Sequence, residues 1–362
     1  MGEDAKTIGR TSALDRGLTI VGCFTTEQRK ARGTGISVLR FTGSSGWANV
    51  DHLGGMVNPS SLLVDPVGNV LYAAHGDADF ASAYSLDPSS GRIASLGQAA
   101  SGGQNGVSLA LHPSRRFLFV ANYSSGSITT LPIKADGSLG DVSQRLDLPG
   151  STGPHKVEQT MSHPHDTVID PSGRFLIVPD KGLDRIFVLS ADESGKLSVV
   201  SHAAMRPGSG PRHVAFHPTL PRAYVVNEID STVASLDWKA AAGVLTPLHV
   251  VPALPSSFFG CNTAAEIVVD PSGRNVYASN RGMDSVTHFV LDDTGDHLTL
   301  VGWFPTRGGC PRFMTLSPTG DSLLVANELG DTIVDFEIDA ADGGLRARRV
   351  LPTASPSAIA FL

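Results

Sequence analysis

The apolar positions of this chain fall in short runs broken by turn residues, and one frame recurs six times: an apolar run, a proline turn, a second apolar run. The marker prolines are Pro66, Pro113, Pro171, Pro218, Pro271 and Pro318, at intervals of 47, 58, 47, 53 and 47 residues, each preceded by Asp, His or Ser. The clearest copies are Asp170-Pro171-Ser172-Gly173-Arg174 and Asp270-Pro271-Ser272-Gly273-Arg274, each followed by an apolar run. Within one repeat, Val214–Phe216 predicts a first strand and Ala223–Val226 a second. Thr232–Leu236 and Leu245–Val251 predict a third and a fourth. Four strands in about 47 residues is one propeller blade, a sheet that must stack on its neighbours to bury its apolar faces.

Both ends of the chain carry unpaired pieces of the pattern. Pro356-Ser357-Ala358-Ile359-Ala360-Phe361 copies Pro211-Arg212-His213-Val214-Ala215-Phe216, a first strand with no second, and Leu18–Cys23 reads as a second strand with no first. Joined, they make a seventh blade that closes the ring and removes exposed sheet edges. The expectation is an all-β, seven-bladed propeller of four-stranded antiparallel blades spanning 17–362 as one domain. Residues 1–16, polar and mixed in charge, form an extension outside it.

Composition changes this picture in few places. Gly 39 and Pro 23 sit at regular turn positions. The net charge of -7 argues against a nucleic-acid or anionic-membrane partner, so an anionic ligand needs a local basic cluster. Cys23, Cys261 and Cys310 are odd in number and lack a CxxC spacing, which favours a reducing compartment. With no apolar leader stretch and no run of membrane-spanning length, the expected location is cytoplasmic. G-x-S-x-G and P-loop motifs are absent. His163-x-His165-Asp166 lacks a third ligand at a familiar spacing, so neither a metal nor an organic cofactor is expected.

The candidate chemistry lies where strands begin and end. The start of each first strand and the end of each second share one face of the disc. Six residues before each proline stand Ser60, Val107, His165, Arg212, Ala265 and Arg312, with Ser357 in the closing blade. Ten residues after each stand Gly76, Tyr123, Lys181, Glu228, Arg281 and Glu328, with Cys23 in the closing blade. One imidazole, four cations and two carboxylates thus share a rim inside an acidic chain, which marks a functional face. Asn122, Asn227, Asn280 and Asn327 recur one place before the second-strand ends, and suggest turn geometry first and ligand contact second. The two long intervals insert residues around Gly153–Gln159 and Pro255–Gly260, both ahead of a first strand and so on this same face, as pocket wall or lid.

The ordered set Ser162-His163-Pro164-His165-Asp166, Asp180-Lys181-Gly182, Gly210-Pro211-Arg212-His213, Val226-Asn227-Glu228, Thr263-Ala264-Ala265-Glu266, Ser279-Asn280-Arg281-Gly282 and Cys310-Pro311-Arg312-Phe313 resembles the lactonase family of seven-bladed propellers. The similarity runs from about Leu18 to the C-terminus. That family includes cycloisomerase-2-type 6-phosphogluconolactonases and the fungal carboxymuconate-lactonizing enzyme. The resemblance implies a site of His165, Arg212, Glu228 and Arg281, beside which Lys181, Arg312, Asn227, Asn280, Tyr123 and His163 are the expected substrate contacts. It implies a lactone-forming or lactone-opening centre, and the first expectation is a hydrolase opening an anionic sugar-acid lactone, most simply 6-phosphogluconolactone. In this reading Glu228 is the base on water, His165 the proton donor to the leaving oxygen, and the arginines hold the anion. A carboxymuconate-type cycloisomerase is the alternative, and a non-catalytic binding propeller the reading from another class.

Overall fold

The computed structural model describes residues 17–43 and 46–362; the extension 1–16 and Ser44–Ser45 lie outside the described residues. Seven four-stranded antiparallel sheets stand in a ring, and in six of them the strands run in chain order from the central channel outward, the closing blade having the C-terminal strand innermost. Blade four is Pro211–Phe216, Arg222–Asn227, Thr232–Lys239 and Val244–Pro252, the four strands expected with a residue or more added at their ends. Blade seven is closed from both ends: Pro356–Phe361 pairs antiparallel with Leu18–Cys23, which pairs with Gly35–Phe41 and then Trp47–Gly54. Among the described residues, no helix is long and apolar enough to cross a membrane.

Burial explains the sequence pattern strand by strand. Second strands such as Leu18–Cys23, Val70–His75 and Phe117–Asn122 are buried at every position, because a neighbouring blade covers each face, so they read as unbroken apolar runs. Outer strands such as Ile93–Ala100 and Val244–Pro252 are mostly exposed. The core is correspondingly divided into seven apolar clusters, each bridging two adjacent blades. Phe119 and Ile128 of blade two meet Val178 and Phe187 of blade three, and Val21 and Ile359 of blade seven meet Leu324 and Ile333 of blade six.

The residue before each marker proline holds the turn. Asp170 Oδ1 accepts from the Arg174 and Phe175 N–H groups at 2.9 and 2.8 Å, and Asp270 Oδ1 accepts from Arg274 and Asn275 at 3.0 Å each. His217 Nδ1 does the same for Leu220 N–H at 2.8 Å. Gly173 and Gly273 take φ of +73° and +71° in these turns, which a side chain would strain.

A second recurrent device ties blade to blade. Tyr72, Tyr224 and Tyr277, all fully buried in second strands, donate their hydroxyls to the carbonyls of Gly137, Gly295 and Gly343 in the outer turn of the next blade, at 3.1, 2.8 and 2.7 Å. Removing one hydroxyl leaves a buried carbonyl without its donor. Tyr224→Phe is therefore expected to cost about 1–2 kcal/mol, read as a lowered urea midpoint with unchanged slope. An unchanged midpoint would show that the clamp is dispensable.

Candidate active site

A β-bulge builds the rim. At the mouth end of each inner strand the pairing register slips by one residue, for instance between Pro59 and Ser61, Gly106 and Ser108, Pro211 and His213, and Pro311 and Phe313. Ser60, Val107, Arg212 and Arg312 are the extra residues. Ser357 holds the same place between the Cys23–Pro356 and Gly22–Ala358 pairs, and in blade five Ala265 and Glu266 share the slip. Blade three shifts by one between the Pro164–Asp180 bridge and the Val168–Ile177 pair, which leaves His165 in the equivalent position. Its regular inner strand is only Val168–Ile169. Bulges free a side chain from the ladder and re-aim it. The opposite rim residue is then fixed by its own N–H: Lys181 N donates to His163 O at 3.0 Å, Glu228 N to Gly210 O at 2.7 Å and Glu328 N to Cys310 O at 2.9 Å.

The bulge residues and strand ends meet at a mouth cavity of about 180 Å³, lined among others by Tyr123, His165, Lys181, Glu228, Arg281 and Arg312. Arg212 stands just below, in the channel cavity of about 300 Å³ that continues inward. Glu228 is the centre. Its Oε1 accepts from Lys181 Nζ at 2.8 Å, while Arg212 Nε and Arg281 Nη2 approach Oε2 at 3.0 and 3.1 Å. The contact with Arg212 is close but not aligned as a hydrogen bond, and Oε2 keeps no aligned donor. Arg212 and Arg281 also donate to the carbonyls of Ala265 and Ala264, which holds their planes. His165 Nε2 lies 3.9 Å from Glu228 Oε2, and Tyr123 meets the His165 ring edge-on at 5.3 Å.

These neighbours set the charge states. Burial pushes the Glu228 carboxyl up, but Arg281, Lys181 and Arg212 outweigh it and hold the group far below the ordinary carboxylate range. Burial likewise opposes the Lys181 charge, but the charges of Glu228 and Tyr123 and the hydrogen bonds that Lys181 donates to Glu158 and Glu228 keep its pKa above the ordinary lysine value. Burial and Arg281 bring Arg212 down to about 9, so it is still a cation at neutral pH. Burial, then Arg212, His213, Arg312 and Lys181, hold His165 well below the ordinary imidazole value. The cations thus favour the Glu228 anion, and burial with the cations favours the uncharged His165 imidazole.

Three expected substrate contacts also move. Asn227 and Asn280 are buried and turn into the blade, donating to Thr232 Oγ1 at 2.9 Å and Thr287 Oγ1 at 2.8 Å. Their recurrence reflects a tie between second and third strands. His163 is buried, stacks on Tyr123 at 4.4 Å and bonds the Tyr123 carbonyl through Nδ1 at 2.9 Å, which holds it against Tyr123. Arg312 does reach the mouth, 3.8 Å from Glu328 and over the Phe24 ring at 5.1 Å. Phe24, sandwiched on its other flank by Arg29 at 4.3 Å, is a mouth residue that the strand frame alone does not reveal.

Below the rim lies a layer that sequence reasoning also missed. One place after the bulge residues, Asp166, His213 and Glu266 line the channel cavity with Ser108. Glu266 Oε1 is 2.7 Å from His213 Nδ1, and Asp166 accepts from Ser108 Oγ at 2.9 Å and from Val214 N–H at 3.2 Å. Burial raises Glu266 to about 8 and Asp166 above its usual value, and burial and Arg212 depress His213 to about 3. His213 Nε2, Glu266 Oε2 and His165 Nδ1 have no protein partner. Among the described residues, no group of three or more His, Cys, Asp or Glu is placed to hold a metal ion.

The Glu266 shift has a stability consequence. Its folded pKa lies above the unfolded one, so the folded chain binds the extra proton and loses stability as pH rises from about 4.5 to about 8. Gln cannot ionise. The melting temperature of Glu266→Gln relative to the parent is expected to rise steadily from about pH 5 to about pH 8. A pH-independent gap would contradict the protonated-carboxyl assignment.

Comparison with known proteins agrees with this architecture. The family model described as "Lactonase, 7-bladed beta-propeller" matches residues 19–361. A 6-phosphogluconolactonase of Bacillus subtilis is 31% identical over 291 residues, covering 80% of this chain and 82% of that protein. One of Formosa agariphila is 31% identical over 340 residues, covering 90% and 94%. The solved structure of a periplasmic gluconolactonase of Pseudomonas aeruginosa, at 29% identity, superimposes with a TM-score of 0.86 over 96% of this chain and 99% of that one.

Proposed function

We propose, on the premise that this chain belongs to the lactonase family of seven-bladed β-propellers, that it hydrolyses an anionic sugar-acid lactone of the 6-phosphogluconolactone type. The observation that carries the reading is the cage at the channel mouth: an uncharged imidazole 3.9 Å from a carboxylate that three buried or half-buried cations clasp.

Each group then has a physical task. Neutral His165 takes a proton from water as the water oxygen attacks the lactone carbonyl carbon. Arg212 and Arg281, whose guanidiniums carry more N–H donors than Glu228 and the backbone carbonyls use, stabilise the oxyanion that forms. The imidazolium produced is paired with Glu228, whose permanent negative charge offsets part of the repulsion from the surrounding cations. As the ring C–O bond breaks, the imidazolium returns its proton to the leaving ring oxygen. The acid product ionises and its proton goes to solvent, so atoms and charge balance. Glu228 serves by holding the cations in register and neutralising the imidazolium, not by taking the proton. Lys181 and Arg312 are secondary contacts for the substrate's anionic group. We place the protein in the cytoplasm on the strength of its three unpaired cysteines, one of them the exposed Cys261. The relative from Pseudomonas is periplasmic by name, so the fold is compatible with either compartment.

The test is ring opening of phosphorylated and unphosphorylated sugar lactones beside turnover of a carboxymuconate. Lactone hydrolysis is expected; turnover of the muconate alone would replace the hydrolase by the cycloisomerase, and neither by the binding module. His165→Asn should lower kcat by about 10²- to 10⁴-fold with little change in KM. Because burial and the cations disfavour a charge on His165, kcat/KM should stay level as pH falls through the ordinary imidazole range. An acid limb centred near 6.5 that disappears in His165→Asn would show an ordinary imidazole pKa and contradict this charge state.

A further inference from the structure

The insertion ahead of blade three does more than wall the pocket. It is pinned at Gln159, almost wholly buried, whose Nε2 donates to Lys181 O at 2.9 Å and whose Oε1 accepts from His155 N–H at 3.0 Å. His155 Nδ1 accepts from Glu158 N–H at 3.1 Å, and Gly153 N–H donates to Gly182 O at 2.9 Å. This tight turn presents the next side chain, Glu158, to the mouth. Glu158 Oε2 lies 2.7 Å from Lys181 Nζ, while the Glu158 side chain is 44% exposed and that of Lys181 only 3%.

Lys181 is thereby saturated. An ammonium has three N–H donors, and these meet Tyr123 Oη at 3.0 Å, Glu228 Oε1 at 2.8 Å and Glu158 Oε2 at 2.7 Å. Tyr123 and Glu228 are fixed by the blades, so the solvent-facing carboxylate is the one partner that an incoming anion can replace. Resting on the lactonase reading above, we propose that Glu158 is a specificity-determining residue. Its tethered carboxylate occupies the place on Lys181 that the phosphate of a phosphorylated lactone takes, and it screens lactones by the strength of their own anion.

The argument is one of competition. A carboxylate held on a short turn acts as an intramolecular ligand, and a substrate anion must outcompete it before reaching Lys181. A phosphate monoester, with nearly two charges and three acceptor oxygens, can do so where a neutral lactone gains nothing. With Glu158 displaced, Lys181, Arg212 and Arg281 face the ligand against Glu228 alone, an excess of positive charge that suits a dianion.

Glu158→Gln keeps the shape of the turn and removes the charge. Inorganic phosphate, titrated calorimetrically, should bind this variant about tenfold more tightly than the parent, and KM for the phosphorylated lactone should fall by about the same factor. KM for the unphosphorylated lactone should not move. Glu193→Gln, on the far face between the third and fourth strands of blade three, controls for general charge and should leave phosphate binding unchanged. Adding Lys181→Met to Glu158→Gln should abolish the gain. Equal phosphate affinity in parent and Glu158→Gln, or a gain that survives loss of Lys181, overturns the proposal. If the parent opens no lactone but Glu158→Gln still gains phosphate affinity through Lys181, the lactonase reading fails and the gating of Lys181 stands. If the parent opens lactones and the variant is unchanged, the reverse holds.

Discussion

One extra residue at the mouth end of every inner strand is the constraint on which the site depends. Regular pairing would spend alternate side chains of these strands on the blade interfaces, and the rim would be backbone. The bulge leaves one residue out of the ladder in each blade and turns it toward the channel. The N–H just past the second strand then closes onto the carbonyl two residues before the bulge residue, as Glu228 N–H does onto Gly210 O. Arg212 and Glu228 are sixteen residues apart in the chain but are set by the same two hydrogen-bonded strands. A site on paired strands holds its geometry more tightly than one on loops, and it needs no large movement to assemble.

Electrostatics then takes over from geometry. Burying a carboxylate or a guanidinium alone is costly, and this cluster buries several. It survives because the charges are mutual: Glu228 stabilises three cations, and they stabilise it more than burial opposes it. Burial and then the same cations disfavour a charge on His165. A step deeper the balance reverses. Glu266 and Asp166 have fewer cations around them, burial wins, and both carboxyls are pushed toward the protonated form. The rim and the layer below it therefore shift their acids in opposite directions.

Much of this was legible without coordinates, for a reason specific to repeats. A proline frame fixes register, and register fixes which residues of different blades are equivalent, so His165, Arg212, Glu228 and Arg281 could be placed on one face from position alone. The closure of the last blade by both chain ends followed from the same frame. What the frame could not carry was distance and charge state. It put Asn227 and Asn280 on the rim because they precede rim residues, but alternation in the strand sends them to the opposite side, onto third-strand hydroxyls. It passed over His213 and Glu266, though they follow bulge residues in register, because nothing in a linear pattern says that a channel is deep enough to have a second layer. Phe24 and Arg29 lie just beyond the strand end at Cys23, where the repeat imposes no pattern. The charge state of Glu228 needed the three cations within about 3.1 Å of it, which only folding supplies.

The division of labour between blades and loops follows from these same facts. Blade positions are bound by packing on two neighbours, so a change at Arg212 or Glu228 disturbs a buried charge cluster as well as any ligand contact. The insertions are bound at a few points only: Gln159 and Gly153 for one, and Asn262, which accepts from Met283 N–H at 3.0 Å, at the end of the other. Residues between those pins, such as Glu158, meet the ligand side of the cage without entering the core. Selectivity can therefore change there at little cost to folding, while the reacting groups stay where the bulges put them. A ring of near-identical blades thus gains a single asymmetric site by adding chain length on one face, and the asymmetry is concentrated where the longest insertion meets Lys181.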